Sequence, residues 1–198
     1  MKTNKRINYL VKIAILSTIA FVIMLFEVPL PFIAPAFYEM NFSPVISLIG
    51  SFSLGPAAGI WIELLKNVLK VIIKGSSTAY VGDFSNFVTG CTLVLPAALI
   101  YLRHKDKKHA IIGMIVGTIT LGIVGGLVNY YIMVPMYVSL YHMPLEKILE
   151  MAQAIFPSID SLWKMILMCV VPFNLIRGVL CSVITFLLYK RIAIILKK

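Results

Sequence analysis

Apolar runs long enough to enter a bilayer recur from about Tyr9 to about Ile195, broken only by short connections rich in proline, glycine or lysine. A soluble domain cannot hide that much apolar surface, and it carries about 25% charged residues where this chain has 13%. A mean hydropathy of +0.96 over all 198 residues agrees. The runs continue throughout, so a cleaved leader does not account for them. Cys91, Cys169 and Cys181 lie in apolar segments without paired spacing, so they read as small buried hydrophobes, with no disulfide and no metal site implied. The expectation is an all-α integral membrane protein, one domain over 1–198, built as a bundle of about six transmembrane helices.

The first span is expected over about Tyr9 to Phe26, followed by Glu27 and a connection carrying Pro29, Pro31 and Pro35. Pro44 to Leu54 forms a short second element of less than about 18 Å, against a core of roughly 30 Å. Gly55-Pro56 makes a tight turn, and a third span runs from about Ala57 to Ile73. The fourth covers about Phe84 to Leu102. The fifth starts near Ala110 and ends between Pro135 and Tyr141. Pro144 to Phe156 is amphipathic and suits an interface. The sixth is expected to open at Pro172, as a first-turn proline, and to reach about Ile195.

Charge orients such a bundle. Six spans place both termini and the Arg103–His109 loop on one side. That side holds Lys2, Lys5, Arg6, Lys12, Arg103, Lys105, Lys107, Lys108, Lys190, Arg191, Lys197 and Lys198 against a single acid, Asp106. Lys/Arg enrichment marks cytoplasmic loops, so both termini are expected to be cytoplasmic. The net charge of +10 then reflects topology and anionic lipid contact. The basic residues are short clusters at helix ends without an aromatic platform, which argues against nucleic acid.

Polar groups inside the apolar spans are costly and therefore informative. Asn174 and Arg177 are three residues apart and share one helix face. Measured from Pro172, Arg177 lies about 7.5 Å below the outer helix end; measured from Pro135, Asn129 lies about 9 Å below it. Tyr38, Glu39, Asn41 and Phe42 of the first long connection open on the same side, as do Asp83 and Asn86. Together they would line an outward-facing pocket for a flat ring with a polar tail. Other roles fit the same residues. Arg177 is close enough to the surface to snorkel, Asn129 and Asn174 suit bonds between helices, and Tyr130, Tyr131, Tyr137 and Tyr141 suit an interfacial belt. On the third span, Glu63, Lys66, Asn67 and Lys70 share a face, as an ion-pair seam, a second pocket wall or a proton relay.

Several fragments, taken in order, resemble one family. They are Glu27-Val28-Pro29-Leu30-Pro31-Phe32, Asn41-Phe42-Ser43, Leu54-Gly55-Pro56-Ala57-Ala58-Gly59, Glu63-Leu64-Leu65-Lys66-Asn67, Asn86-Phe87, Val128-Asn129-Tyr130-Tyr131 with Val134-Pro135-Met136-Tyr137, and Pro172-Phe173-Asn174-Leu175-Ile176-Arg177-Gly178. The chain resembles the substrate-binding (S) component of energy-coupling factor (ECF) vitamin transporters, most closely the riboflavin-specific type. The resemblance implies a multi-pass protein of the cell membrane that binds one vitamin, here riboflavin, near the extracellular face, with no covalent cofactor. It implies ligand contacts from Glu39, Asn41, Phe42 and Asn86, hydrogen bonds to the flavin from Asn129 and Asn174, and Arg177 in the place of a usual lysine.

The resemblance also implies partners: a transmembrane coupling subunit and two cytoplasmic ATPases, with the S component toppling to deliver its vitamin inward. This chain has no G-x-x-x-x-G-K-[ST] of its own. Docking in the family often uses Ala-x-x-x-Ala on the first helix; Ala14-x-x-x-Thr18 is the nearest match. Two departures bear on the ligand. The family's Asp-Phe-Ser-Asp is Asn41-Phe42-Ser43-Pro44 here, and the planar guanidinium of Arg177 demands different partners from a lysine. A phosphorylated flavin or another flat vitamin therefore stays open. A membrane-embedded enzyme is the rival class, but of the eight acids only Glu146 and Glu150 are three or four residues apart, His104 and His109 sit in the basic loop where a solvated or headgroup-contacting role is simplest, and His142 is isolated. A purely structural subunit is the third reading.

Overall fold

A computed structural model describes residues 2–35, 37–76 and 80–197. Helix α1 (Lys2–Met24) buries Ile13, Leu16, Ala20 and Met24 on one stripe and leaves Leu10, Ile15, Ile19 and Val22 exposed. A helix that is apolar on its outward face as well faces lipid. The chain then forms a two-residue strand, β1 (Val28–Pro29), paired antiparallel with β2 (Glu39–Met40), Val28 opposite Met40 and Pro29 opposite Glu39. The connection 30–38 is thereby folded back over one end of the bundle.

Helix α2 (Pro44–Leu54) is short because it is interior: every residue from Pro44 to Phe52 is buried. Gly55, at φ 103°, makes the left-handed turn that a side chain would strain, and Pro56 opens α3 (Pro56–Lys74). Helix α3 is inverted relative to a soluble helix. Its buried stripe carries Glu63, Lys66 and Asn67, while Trp61 and Ile72 are exposed. Helix α4 (Val81–His104) packs tightly on α5 (Lys107–Val128) because Gly117 lies against a backbone carbonyl: a Cβ there would come within 2.4 Å of the Leu93 oxygen.

Two helices are longer than their prolines suggest. Helix α5 continues through a π-helical turn (Asn129–Met133) into α6 (Val134–Tyr141). After α7 (Leu145–Gln153), a further helix starts as α8 (Leu162–Met165), passes through a second π turn (Ile166–Val170) and becomes α9 (Val171–Lys197). The last span therefore opens at Leu162, ten residues before Pro172, correcting the expected start. In each case a Val-Pro pair follows the π turn. Proline lacks an N–H and its ring crowds the carbonyl one turn back, and the wider turn absorbs both defects without ending the helix. Arg177 accordingly stands fifteen residues, about 22 Å, past the start at Leu162, and Asn129 twelve residues, about 18 Å, before Tyr141.

Four helical runs are long and apolar enough to cross a membrane: Asn4–Met24, Val81–His104, Lys107–Leu140 and Leu162–Tyr189. The protein is thus an all-α, multi-pass membrane protein. Amphipathic α7 packs inward, with Ile148 and Ala152 buried beside Ile159, Met165, Cys169 and Val170.

Candidate functional site

At the end of the bundle opposite the Arg103–His109 loop, a cavity of about 100 Å³ is enclosed by the first long connection, α3, α4, the first π turn and α9. Seven of the residues singled out in the sequence for a pocket line it: Tyr38, Glu39, Lys70, Asn86, Asn129, Asn174 and Arg177. Phe37, Tyr38, Tyr137 and Phe173 supply aromatic walls, with Tyr38 packed between Phe37 and Phe173 at ring separations of 4.5 and 5.9 Å.

Helix periodicity explains the convergence. Asn174 and Arg177 share a face of α9, and Asn86 and Thr89 share a face of α4 at the same spacing. Gly125 lets α5 and α9 close: a Cβ there would lie 2.7 Å from the Asn174 amide nitrogen. Arg177 is buried at 5% exposure and does not snorkel. One guanidinium nitrogen donates to Asn86 Oδ1 at 2.7 Å and another to Thr89 Oγ1 at 3.5 Å, while Nε has no partner among the described residues. None of the carboxylates in the described residues pairs with it. A desolvated cation with a spare donor suits a ligand rich in carbonyl oxygens or anionic groups. On the facing wall, Asn129 donates to the Gly125 carbonyl at 2.8 Å and accepts from Tyr38 Oη at 2.9 Å.

The mouth of the cavity is held by charge. Lys70 bridges Glu27 at 3.3 Å and Asp83 at 3.2 Å, and Lys74 reaches Glu27 at 3.5 Å. Burial, and then the adjacent Glu27 carboxylate, push the Glu39 carboxyl above its usual range.

Asn41 and Phe42 are placed elsewhere. Asn41 is buried and accepts from Ser43 Oγ at 2.7 Å; Ser43 Oγ accepts from Lys66 Nζ at 2.7 Å; and Lys66 is paired with Glu63 at 2.7 Å with both side chains fully buried. Of the alternatives for α3, Glu63 and Lys66 form the ion-pair seam, and Lys70 belongs to a pocket wall. Phe42 packs against the core. Ala14 and Thr18 are exposed side by side on α1, the Thr18 hydroxyl donating to the Ala14 carbonyl at 3.0 Å. Sequence reasoning passed over Thr89, Phe37 and Phe173. Thr89 was signalled by its spacing from Asn86 and Phe173 by its place beside Asn174. Phe37 had no such mark. Tyr137, read as part of a belt, lines the cavity and faces Phe37 at 5.7 Å.

The sequence profile of the ECF transporter substrate-specific component matches residues 8–189. The chain belongs to that family. Relatives include the riboflavin transporter RibU of Staphylococcus aureus (strain TCH60), 35% identical over 100% of this chain and 95% of the relative. The riboflavin transporter FmnP of Bacillus subtilis (strain 168) is 31% identical over 93% of this chain and 91% of its own length. A solved S component of a bacterial ECF transporter superposes with a TM-score of 0.74 at 34% identity, covering 99% of both chains. As an ECF substrate-specific component, the chain is a transporter subunit built to recognise a solute, which accords with a cavity lined by amides, the Lys70 and Arg177 cations and aromatic faces.

Proposed function

We propose that this S component captures riboflavin in the cavity described above and delivers it inward with an ATP-driven ECF module. The observation that carries the reading is the convergence of Asn86, Asn129, Asn174 and Arg177 beneath Phe37, Tyr38, Tyr137 and Phe173. Amides and a guanidinium offer donors and acceptors to the carbonyl and imide edge of an isoalloxazine ring, and the aromatic faces offer stacking. The names of the relatives support riboflavin.

In this reading the four long helices, α2 and α3 make six spans in one domain, with both termini in the cytoplasm and the cavity opening outward from the cell membrane. The coupling partners are one transmembrane subunit and two cytoplasmic ATPases, α1 docking to the former through Ala14 and Thr18. The chain itself carries out no chemical conversion. Glu39 contributes at the mouth, and Asn41 and Phe42 act on the ligand indirectly, by fixing the connection to α2.

A phosphorylated flavin is the second reading, favoured by the unpaired donor of Arg177. Purifying the full chain in detergent and recording visible absorbance tests the proposal. A co-purifying flavin band supports it; a colourless protein that also fails to quench added riboflavin contradicts it. Competition between riboflavin and its monophosphate separates the two flavins.

A further inference from the structure

A second concavity lies on the lipid-facing side, away from the cavity. Helices α5 and α9 approach closely at Gly178, where a Cβ would fall 2.8 Å from the Thr118 side chain. From there toward the basic end of the bundle runs a groove of about 530 Å³, walled by Ile111, Ile115 and Ile119 on α5 and by Val183 and Phe186 on α9. The hydroxyls in its floor, Thr118 and Ser182, bond each other at 3.3 Å, so the lining is effectively apolar.

Its length and its open end point to one class of occupant. From Ile111 to Ile119 the groove follows α5 for about 12 Å, close to the roughly 15 Å depth of one leaflet of hydrocarbon. Lys107 and Lys108 stand four and three residues before Ile111, placing them on the groove's side of α5. Both are exposed, and neither has a carboxylate partner among the described residues. The nearest acid, Asp106, is engaged by the His109 amide at 2.7 Å and its ring at 2.8 Å. A slot of leaflet depth thus ends at Lys107 and Lys108.

We propose that this groove binds one anionic glycerophospholipid, an acyl chain lying between α5 and α9 and the phosphate at Lys107 and Lys108. A neutral lipid would find the same slot without the charge attraction. Juxtamembrane cations favour anionic lipid by about fivefold each.

The test uses the full chain with Trp61→Phe and Trp163→Phe, a reporter at Ile115→Trp, and vesicles of phosphatidylcholine doped with brominated phosphatidylglycerol or brominated phosphatidylcholine. The expected result is half-maximal quenching at a mole fraction of phosphatidylglycerol at least fivefold below that of phosphatidylcholine. Lys107→Gln with Lys108→Gln should abolish the difference. A reporter at Ile123→Trp, exposed on α5 beyond the groove and with no Lys or Arg within four residues in sequence, should show no preference. Equal quenching by both lipids at position 115, the same preference at position 123, or a preference that survives loss of both lysines each overturns the proposal. If the double variant loses helical circular dichroism, Lys107→Gln alone replaces it, with about a fivefold loss of preference expected.

Discussion

Tyr38 donates to Asn129 Oδ1 across 2.9 Å, joining the first long connection to the π turn of α5 over a sequence separation of 91 residues. Tyr38 is thereby held against Phe173 inside a cavity of about 100 Å³, below the roughly 300 Å³ at which pockets for drug-sized ligands begin. On the proposed role, opening the Tyr38 bond enlarges the cavity and frees Asn129 Oδ1 to accept from the flavin.

Tyr38→Phe keeps the ring and deletes the bond. A net hydrogen bond is worth about 0.5–1.5 kcal/mol, so riboflavin should bind roughly two- to tenfold more tightly, mostly through faster association. Stopped-flow quenching of riboflavin fluorescence measures both. A weaker, slower variant would mean that the hydroxyl serves the ligand rather than opposing it.

Arg177 joins α9 to α4 through Asn86 and presents an unused donor. Hydrogen bonds from charged donors contribute about 1.5–3 kcal/mol, so Arg177→Ala should weaken riboflavin about ten- to a hundredfold. Arg177→Lys should retain part of the affinity, since the charge persists while the planar fork is lost. Equilibrium titration of the two variants distinguishes charge from geometry.

The buried Glu63–Lys66 pair answers to a different measurement. Removing one partner strands a charge, so Lys66→Met should cost about 3–5 kcal/mol and lower the melting temperature in detergent. Glu63→Gln combined with Lys66→Met should recover much of that loss. If the double variant is as damaged as the sum of the singles, the two side chains are not coupled.

Glu39 gives the mouth of the cavity a pH dependence. Its folded pKa is raised, first by burial and then by Glu27, so the folded state holds this proton more tightly than the unfolded chain does. The contribution is present at low pH and is lost as pH rises from the unfolded value through the raised folded one. Glu39→Gln fixes the neutral form and should flatten that part of the melting-temperature profile, leaving the remainder of the curve unchanged.

The sequence exposed the site better than it exposed the helix ends. Pro172 looked like a boundary because proline normally opens a helix, and nothing local announces that a π turn will absorb it. The last helix starts ten residues earlier, so Arg177 is deeper than Pro172 implied, while the fifth run ends at Tyr141, inside the expected Pro135–Tyr141 range; Asn129 and Arg177 still line one cavity. Asn41 was harder to read. Its neighbours in the chain suggest a loop facing the ligand, but its partner Ser43, itself held by Lys66, pulls it into the seam beneath α2, and Lys66 is 25 residues away. Periodicity within one helix survives such long-range pairing; the fate of a loop residue does not.

In the proposed role, the amide and guanidinium groups of this cavity hold a flavin. The most direct test is to titrate riboflavin fluorescence with the purified full chain alongside Asn174→Ala. Quenching should saturate at one flavin per chain and weaken at least tenfold with the substitution while the helical circular dichroism is kept. Quenching that is absent, or that is indifferent to Asn174→Ala, would contradict it.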